Sequence, residues 1–526
     1  MTQSDFGTKL VGRPFAAILG TVLLLRVPAS FQSVIDWDES IYIVVARELL
    51  NGALPYSAVF DHKPIGLYYL FAGFIGVLGD DPFSVRLLGM LVVAGAAILL
   101  RQILIEFGGL RDRTALWLAL SYVVATGGLG GAAVNTEIIV NVLTLTWIYL
   151  VLIAVRNGSV WPLFIAGCAM GLSFQVNYLS ALLIVGFSIG YLCFRLKRDD
   201  QMAKAAQAFV VDGLVIFGGF VVANALLLGP LILFGNFSDY VSYQQAYLFN
   251  YKPTVSTTDS LEKFFETGQA FLPLVALIWF GWVLASRKQN EKHTMSGVSF
   301  GELAVLFLPI LVAAFAALSA SFRFYQHYFL FLLPPAFLLC GVVFARFSPR
   351  TSFYRFGVVL LVVASFNIGI RGFIEAGKGA VVAAQMAFSE RIPADRSRNL
   401  ARTIRPLLGD GDTIYVACDQ TILYQLAHVS PPTQFAHFPH ALMPSYAKAF
   451  GVEISDTIDR ILDKRPAVIV FGNVNRCRKV PEAVWQLLED KIRLAGYEYF
   501  QDYRGGRLFV RPRGKPIQFS ESAIKR

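Results

Sequence analysis

Long apolar runs separated by short polar connections dominate the chain up to about residue 370. A helix needs roughly 20 apolar residues to cross a bilayer, and most of these runs approach that length. Several are short or interrupted by Gly and Pro, so the number of spans is defined to within about one or two. The pattern predicts about eleven transmembrane helices. They are 14–34, 83–104, 114–134, 138–154, 160–175, 178–194, 206–234, 268–286, 300–320, 328–347 and 354–370.

The first apolar run follows Lys9 and Arg13, as the core of a signal peptide would. Arg26 interrupts the run, however, and many further spans follow it. Both features favour a signal anchor that stays in the membrane over a cleaved signal peptide.

A polar connection over residues 35–65 follows this first run. Within it, Ile41, Val44, Val45 and Leu49 recur at helical spacing, which predicts an amphipathic helix at the membrane surface over residues 40–50. Asp36, Asp38 and Glu39 precede or begin that helix.

Beyond about residue 372 the pattern changes, because polar residues become frequent and short β-rich runs alternate with helical ones. Buried strands are predicted at 413–418 and 467–471, a helix at 481–495, and a closing hairpin from 497–503 and 507–511, joined by Gly505 and Gly506. The prediction is therefore a membrane domain over residues 1–371 and a small α/β domain over residues 372–526. No GxGxxG or Walker sequence marks a nucleotide site.

Composition supports a membrane protein. Of 526 residues, 55% are hydrophobic and only 16% are charged, and the mean hydropathy is +0.56. A soluble protein of this length needs a more polar surface. The net charge of +10 would suggest nucleic acid in a soluble domain. Here the basic residues fall in loops on one side of the predicted spans, so they indicate orientation instead.

That basic side is predicted to be cytoplasmic, since cytoplasmic loops are enriched in Lys and Arg. An odd number of spans then leaves the 35–65 loop and the C-terminal domain on the outer, periplasmic face of the inner (plasma) membrane. The orienting residues are Lys9, Arg13, Arg101, Arg111, Arg113, Arg156, Arg195, Lys197, Arg198, Arg287, Lys288, Lys292, Arg346, Arg350 and Arg355.

The cysteines give little information about function. Cys168, Cys193 and Cys340 lie in predicted spans, where cysteine packs as a small apolar residue. Cys418 and Cys477 both lie in the predicted outer domain, where thiols can oxidise, but strand ends need not meet, so their pairing stays open. The absence of CxxC and HExxH gives no support to a zinc-finger or zincin site.

Ionisable residues gather at the outer ends of the predicted spans, from four separate places in the chain. Charges at the hydrocarbon boundary are costly unless they are paired or used. Two alternatives are structural: Asp36 and Asp38 would cap the following helix, and Lys63, Arg86 and Arg323 would pair with lipid phosphates. The candidate residues are Asp36, Asp38, Glu39, Asp61, His62, Lys63, Arg86, Glu137, Arg323, Tyr325 and His327.

Several of these residues stand in a recognisable order. Asp38-Glu39-Ser-Ile-Tyr42 followed by Ala46-Arg47-Glu48 resembles the DE-x-x-Y…A-R-E signature of a group of polytopic glycosyltransferases with the GT-C fold. This group includes the lipid A aminoarabinose transferases and the protein O-mannosyltransferases. Three later segments resemble its K-P-P…Y, second acidic and R-x-Y-x-x-Y…L-L-P segments. They are Asp61-His62-Lys63-Pro64 with Tyr68, Asn135-Thr136-Glu137, and Arg323-Phe-Tyr325-Gln-His327-Tyr328 with Leu332-Leu333-Pro334.

The resemblance covers the region up to about residue 370 and implies site roles. It assigns Asp38 as catalytic base or acceptor-orienting group, with Glu39 and Glu137 in support. It leaves open whether Asp38 and Glu137 also hold a divalent metal ion. Lys63, Arg323 and His327 would bind the donor phosphate, with Asp36, Asp61, His62, Arg86 and Tyr325 in supporting positions. The sequence departs from the family at two places. Ile65 replaces the second Pro of K-P-P, and Gln175-Val-Asn177-Tyr178 stands where many relatives carry Lys.

The implied function is transfer of a monosaccharide from a polyprenyl-phosphate donor to an envelope glycolipid such as lipopolysaccharide, a glycan or a protein. The alternative is a polytopic transporter or lipid-binding protein with an outer sensor domain. Transporters usually bury charges at the midplane and often show internal repeats, and neither is evident here. An O-antigen polymerase or ligase is a closer alternative, but that pattern lacks the acidic first loop.

Overall fold

The structure is a computed structural model that describes residues 12–199, 201–250, 256–286, 298–389, 391–474, 477, 480–503 and 506–512. The predictions for Lys9, Arg287, Lys288, Lys292 and Gly505 lie outside the described residues.

The chain divides into two compact units. Unit 1 comprises Met1–Glu39, Lys63–Gly235 and Val255–Ala394, and unit 2 comprises Ser40–His62, Asn236–Thr254 and Asp395–Arg526, each within its described part. Two segments between the predicted membrane spans therefore belong to the same unit as the C-terminal region.

Unit 1 is helical throughout its described part. Its helices, with α2 continuing into unit 2, are α1 (Arg13–Ala29), α2 (Trp37–Leu50), α3 (Ile65–Leu78), α4 (Pro82–Glu106), α5 (Asp112–Gly127), α6 (Thr136–Asn157), α7 (Trp161–Phe174), α8 (Ser180–Arg198), α9 (Met202–Leu233), α11 (Thr257–Gly268), α12 (Leu272–Ser286), α13 (Phe300–Ser319), α14 (Leu333–Ala345) and α15 (Ser352–Phe388). A 3₁₀ helix, Gln326–Leu332, leads directly into α14.

Within the described residues, eight helical segments are long and apolar enough to cross a membrane. Helices also occupy the other three predicted positions, but α1, α5 and α7 have only 17, 16 and 14 residues. The chain is therefore a multi-pass membrane protein, as predicted. The short apolar helix α3 was not predicted, because its 14 residues fall below spanning length.

Small residues let the helices of unit 1 approach closely. A Cβ atom at Gly128 would lie 1.8 Å from the Ile368 carbonyl oxygen, and one at Gly372 would lie 2.6 Å from the carbonyl carbon of Gly127. The backbones of α15 and of the C-terminal end of α5 are thus in direct contact, which is the usual role of small residues between membrane helices.

Arg26, the charge inside the first apolar run, serves helix packing. It is buried, and Nη1 donates to the Gly131 carbonyl at 2.6 Å while Nη2 donates to the carbonyl and hydroxyl of Thr126, both at 3.3 Å. The side chain satisfies backbone groups that α5 and the following turn leave without intrahelical partners.

The predicted boundary between residues 371 and 372 falls inside α15, which continues without a break to Phe388. Unit 2 resumes only at Asp395. Past residue 371 the exposed positions of this helix carry both polar residues, such as Lys378, and apolar ones, such as Phe373 and Ile374, while Gly372 and Gly379 stay buried. Composition therefore changes along the helix without ending it.

Unit 2 contains a four-stranded sheet with short helices. Its strands are β1 (Ile414–Ala417), β2 (Val468–Phe471), β3 (Glu498–Tyr503) and β4 (Gly506–Val510), in the order β1-β2-β4-β3. β1 and β2 are parallel, with Ile414 opposite Val468, and β4 is antiparallel to both neighbours. The helices are α10 (Phe237–Gln245), α16 (Arg396–Ile404), α17 (Leu423–Leu426), α18 (Phe438–Leu442), α19 (Pro444–Phe450), α20 (Ile454–Asp463) and α21 (Glu482–Leu494).

The four predicted strands, the helix after β2 and the closing hairpin are all present. Cys418, at the end of β1, forms a disulfide with Cys477, and their Cα atoms are 5.9 Å apart. The pairing that the sequence left open is therefore formed within unit 2.

Helix α2 differs from its prediction as a surface-lying amphipathic helix. Ile41–Ala46 are all buried, so no face of this stretch is left exposed. The off-stripe residues have partners in unit 2: Arg47 donates to the carbonyls of Tyr424 and Val429, and Glu48 accepts from Ser430. Charged residues can lie in this packed helix because each has a hydrogen-bonding partner.

Candidate functional site

Two aspartates, Asp36 and Asp38, lie at the start of α2 in different positions. The Asp36 carboxylate accepts a hydrogen bond from the Asp38 backbone N–H at 2.9 Å. Asp36 therefore acts as the N-cap, as short acidic residues commonly do. Asp38 lies inside the first turn and is only partly buried. The capping alternative thus describes Asp36 and leaves Asp38 for another role.

Glu39 is held by a buried ion pair. Arg86, 2% exposed, donates from Nη2 to Glu39 Oε2 at 2.9 Å, and Glu39 Oε1 accepts the Val134 backbone N–H at 2.9 Å. Arg86 also donates to the carbonyl oxygens of Ser30 and Gln32. Both side chains are therefore occupied in joining the α1–α2 connection, α4 and the turn before α6.

Glu137 lies in the first turn of α6 and is 1% exposed. Its Oε1 accepts from Asn177 Nδ2 at 3.3 Å, and the same amide donates to Thr136 Oγ1 at 2.8 Å. Its Oε2 has no hydrogen-bond partner among the described residues. A buried carboxylate oxygen without a partner is costly, which makes it a candidate for contact with a ligand.

The turn that carries Arg323 has a strained backbone. Phe322 and Phe324, on either side of it, have φ values of 52° and 46°, a left-handed conformation that is unfavourable for bulky residues. Such strain concentrates at functional sites. Arg323 is 8% exposed, and its guanidinium carbon lies 5.9 Å from the centre of the Tyr325 ring.

Gly130 brings three candidate segments together. Its φ is +73°, and a Cβ atom there would lie 3.4 Å from Asn135 Nδ2, 3.7 Å from His327 Cβ and 3.8 Å from Asp36 Oδ2. Asn135 Nδ2 donates to the Gly130 carbonyl at 2.9 Å. The first acidic turn, the second acidic turn and the His327 turn therefore converge on one glycine.

The residues around Gly130 also interact electrostatically. Burial, and then the charge of Asp38, raise the pKa of Asp36 to about 6, and His327 opposes the shift. Tyr328 lies within electrostatic range of Glu137, Arg323 and Asp38. Asp36, Asp38, Glu137, Arg323 and His327, predicted from three separate segments, are thus grouped in unit 1.

Lys63 begins the next segment of unit 1 and is 8% exposed. The helix after it is anchored to the end of α7, where the Leu67 N–H donates to the Gln175 carbonyl at 3.2 Å. Gly66 is required at this contact, because a Cβ atom would lie 2.7 Å from that same oxygen. The Gln175-Val-Asn177 segment therefore supports both the Lys63 segment and Glu137.

The remaining predicted residues divide between two places. Tyr325 stacks against His327 with ring centres 5.8 Å apart, within unit 1. Asp61 and His62 belong to unit 2, where they lie with His440. In the described part of the chain, that trio is the one group of three or more residues arranged to hold a metal ion, and it does not include the predicted pair Asp38 and Glu137.

Several contacts of the site were not predicted from the sequence. Gly130 organises the cluster at a position that no local pattern signals, and Asn135 was named only as part of the second acidic segment, without its hydrogen bond to the Gly130 carbonyl. Asn177 was noticed only as a departure from the family pattern, and its hydrogen bond to Glu137 could not be anticipated. His440 carried no motif at all.

Chemically, the unit 1 cluster combines a partly exposed carboxylate, a buried carboxylate with one unpartnered oxygen, and the buried cationic side chain of Arg323. A carboxylate can accept a proton from a hydroxyl group, and fixed cations can stabilise an anionic leaving group such as a phosphate.

Comparison with known proteins agrees with this architecture. Residues 62–223 match the family described as dolichyl-phosphate-mannose-protein mannosyltransferase. No curated protein sequence matches the chain significantly. Among solved structures, ArnT from Cupriavidus metallidurans bound to undecaprenyl phosphate has 14% sequence identity and a TM-score of 0.60, over 97% of this chain and 98% of ArnT. The apo state of the same ArnT has 13% identity and a TM-score of 0.58 over the same shares, 97% and 98%. The predicted GT-C fold is confirmed.

Proposed function

We propose that this protein is a membrane glycosyltransferase that moves a monosaccharide from a polyprenyl-phosphate donor to an envelope glycolipid, glycan or protein. The observation that carries the proposal is the grouping of Asp36, Asp38, Glu137, Arg323 and His327 in unit 1 of a chain with this fold. The match of residues 62–223 to a mannosyltransferase family and the undecaprenyl phosphate in the similar ArnT structure support it.

In the proposed reaction the acceptor hydroxyl oxygen attacks the anomeric carbon of the donor sugar. The new C–O glycosidic bond forms as the bond from the anomeric carbon to the phosphate oxygen breaks, and polyprenyl phosphate leaves with that electron pair. Asp38 takes the acceptor proton or orients the hydroxyl, since it is the aspartate that the helix cap does not use. General base assistance of this kind is worth about 10²–10⁴-fold in rate.

The cationic side chains would stabilise the leaving phosphate. Lys63 and Arg323 are each 8% exposed, so their charges are screened less than those of surface residues. Arg323 is held by a strained turn, which suits a group that must be positioned before the substrate arrives. His327, beside Asp36, is the third candidate.

The supporting role of Glu39 is proposed to be structural. Both carboxylate oxygens are occupied, by Arg86 and by the Val134 N–H. It therefore positions the first turn of α2 and supports Asp38 indirectly.

The site is proposed to face the outer side of the inner membrane, because the basic loops predict the opposite side as cytoplasmic. The Cys418–Cys477 disulfide supports an oxidising compartment for unit 2. The transporter alternative gains no support from Arg26, because its guanidinium donates to backbone carbonyls rather than lining a path.

Direct assay of the purified chain tests the proposal. The full chain in nanodiscs is supplied with polyprenyl-phosphate sugars and with envelope glycolipid, glycan or peptide acceptors, and release of polyprenyl phosphate is measured. The expected result is acceptor-dependent release that Asp38→Asn lowers by about two decades or more. Mass spectrometry of envelope glycans from cells with and without the gene then identifies sugar and acceptor. Envelope glycans that are identical in both, with no release from any donor, would overturn the proposal.

A further inference from the structure

We propose that Asp61, His62 and His440 form a binding site for a divalent transition-metal ion, with Zn²⁺ the best match. All three residues belong to unit 2, and one ligand atom from each lies within 4.8 Å of the others. The site shares no residue with the carboxylates of the proposed transfer reaction and does not depend on that function.

The donor set is chemically suited to zinc. Imidazole nitrogen and carboxylate oxygen are common zinc ligands, with metal–ligand bonds of about 2.0–2.2 Å. In a tetrahedral site such bonds place the ligand atoms roughly 3.4 Å apart, so binding needs only a modest approach from the present spacing. Three protein ligands leave the fourth position for water.

One ring nitrogen of each histidine makes no hydrogen bond within the described part of the chain. His62 Nδ1 and His440 Nδ1 are both buried and without a hydrogen-bond partner there. His62 Nδ1 lies 3.1 Å from Asp61 Oδ1, yet the geometry is not that of a hydrogen bond. Two ligand atoms this close, one nitrogen and one carboxylate oxygen, are spaced as a shared cation requires.

Both imidazole rings are held in place. The His62 ring stacks on Tyr247 with centres 4.1 Å apart, and the His440 ring lies 5.1 Å from Phe60 and 4.8 Å from Tyr446. These aromatic contacts limit rotation of the His440 ring and keep its unpartnered Nδ1 beside Asp61 and His62.

The proposed ion would join residues 61 and 62 to α18 within unit 2, two segments far apart in sequence.

The test measures metal content independently of sugar transfer. The full chain, purified without a histidine tag, is stripped with EDTA, incubated with ZnSO₄ alone, desalted and analysed by inductively coupled plasma mass spectrometry. About one tightly bound Zn²⁺ per chain and a higher melting temperature with Zn²⁺ than after EDTA are expected, because a ligand that binds the folded state stabilises it. Co²⁺ in place of Zn²⁺ should give the d–d absorption of a low-symmetry nitrogen and oxygen site.

His440→Gln, His62→Gln and Asp61→Asn should each weaken Zn²⁺ binding by more than the 10–100-fold that loss of an outer-shell partner typically costs. His428→Gln is the matched control, because His428 is hydrogen-bonded to Arg405 at 2.8 Å and lies outside the trio. It should keep the metal. Should a variant misfold, the Zn²⁺ stoichiometry and melting shift of the unaltered chain still decide. Absence of both, or full Zn²⁺ content in all three variants, overturns the site.

Discussion

Asp38 and Asp36 are two residues apart and have opposite relations to the helix that follows them. Asp36 accepts the capping hydrogen bond, while Asp38 lies within the first turn. Substitution by Asn keeps the shape of either side chain and removes its charge. The pair therefore separates a structural role from a chemical one.

Asp38→Asn is expected to lower the rate of sugar transfer by two decades or more, since general base assistance is worth about 10²–10⁴-fold. The melting temperature should hardly change, because the helix keeps its Asp36 cap. Asp81→Asn is the matched control: Asp81 caps α4 by accepting the Phe83 N–H at 2.8 Å, and Asn caps equally well. Near-normal transfer by Asp38→Asn would remove the central residue of the proposed mechanism.

Asp36 should produce a pH dependence. Since its pKa is raised to about 6, the Asp36–Asp38 pair holds an extra proton below that pH and loses it above. Transfer activity is expected to rise with pH through about 6. Folding stability has the opposite pH dependence. The pKa of Asp36 is higher in the folded than in the unfolded protein, so the stability that its protonated form contributes is lost as pH rises through about 6.

Asp36→Asn keeps the cap and should move the inflection in kcat/KM to lower pH, with a smaller loss of maximal rate than Asp38→Asn. The pH–rate profiles of both proteins check this. An unchanged inflection near pH 6 in Asp36→Asn would assign the titration to another group.

Lys63→Ala is expected to reduce turnover or donor affinity by about one to three decades, because it removes a charge-assisted phosphate contact. Insertion and folding should be normal. Lys378→Ala, which removes an exposed lysine paired with Glu375, is the control and should retain activity. Full donor binding and turnover in Lys63→Ala would contradict the phosphate role.

At the scale of elements, the buried Arg86–Glu39 pair joins α4 to the start of α2. Removing one member of such a pair leaves a buried charge without its partner, which costs about 3–5 kcal/mol, whereas neutralising both is often tolerated. The double variant Glu39→Gln/Arg86→Met is therefore expected to melt in detergent at a lower temperature than the wild type. The single variant Arg86→Met should melt at a lower temperature than the double variant. A single variant as stable as the wild type would show that the pair is not structural.

At the scale of the whole molecule, the membrane orientation can be measured. We expect the first acidic turn, the Arg323 turn and the C-terminal region on one face, away from the basic loops. Trp37→Cys, Phe322→Cys and Leu494→Cys report these regions at exposed positions, and Trp161→Cys reports the opposite face. Cys168, Cys193 and Cys340 are replaced by Ser, and the Cys418–Cys477 disulfide is kept.

Membrane-impermeant maleimide should label the first three positions in intact spheroplasts and Trp161→Cys only after lysis. Labelling of any two of the first three from opposite sides would break the orientation scheme.

The sequence by itself determined the class of the molecule, because bilayer thickness imposes a length and an apolarity that are visible residue by residue. The helices at all eleven predicted span positions, the strands β1 to β4 and the ordered motifs around Asp38, Lys63 and Arg323 were readable for this reason. Each depends on local periodicity or on spacing along the chain, and neither requires knowledge of the fold.

Only the tertiary structure decided which residues meet. The occupation of Glu39 by Arg86, the capping by Asp36 and the contact of Asn177 with Glu137 depend on helices that are far apart in sequence. Residues 40–62 join unit 2 and α15 continues past residue 372 for the same reason. A local pattern records whether a position is apolar or polar, whereas partners, burial and the meeting of Asp61 and His62 with His440 arise from packing over long sequence separations.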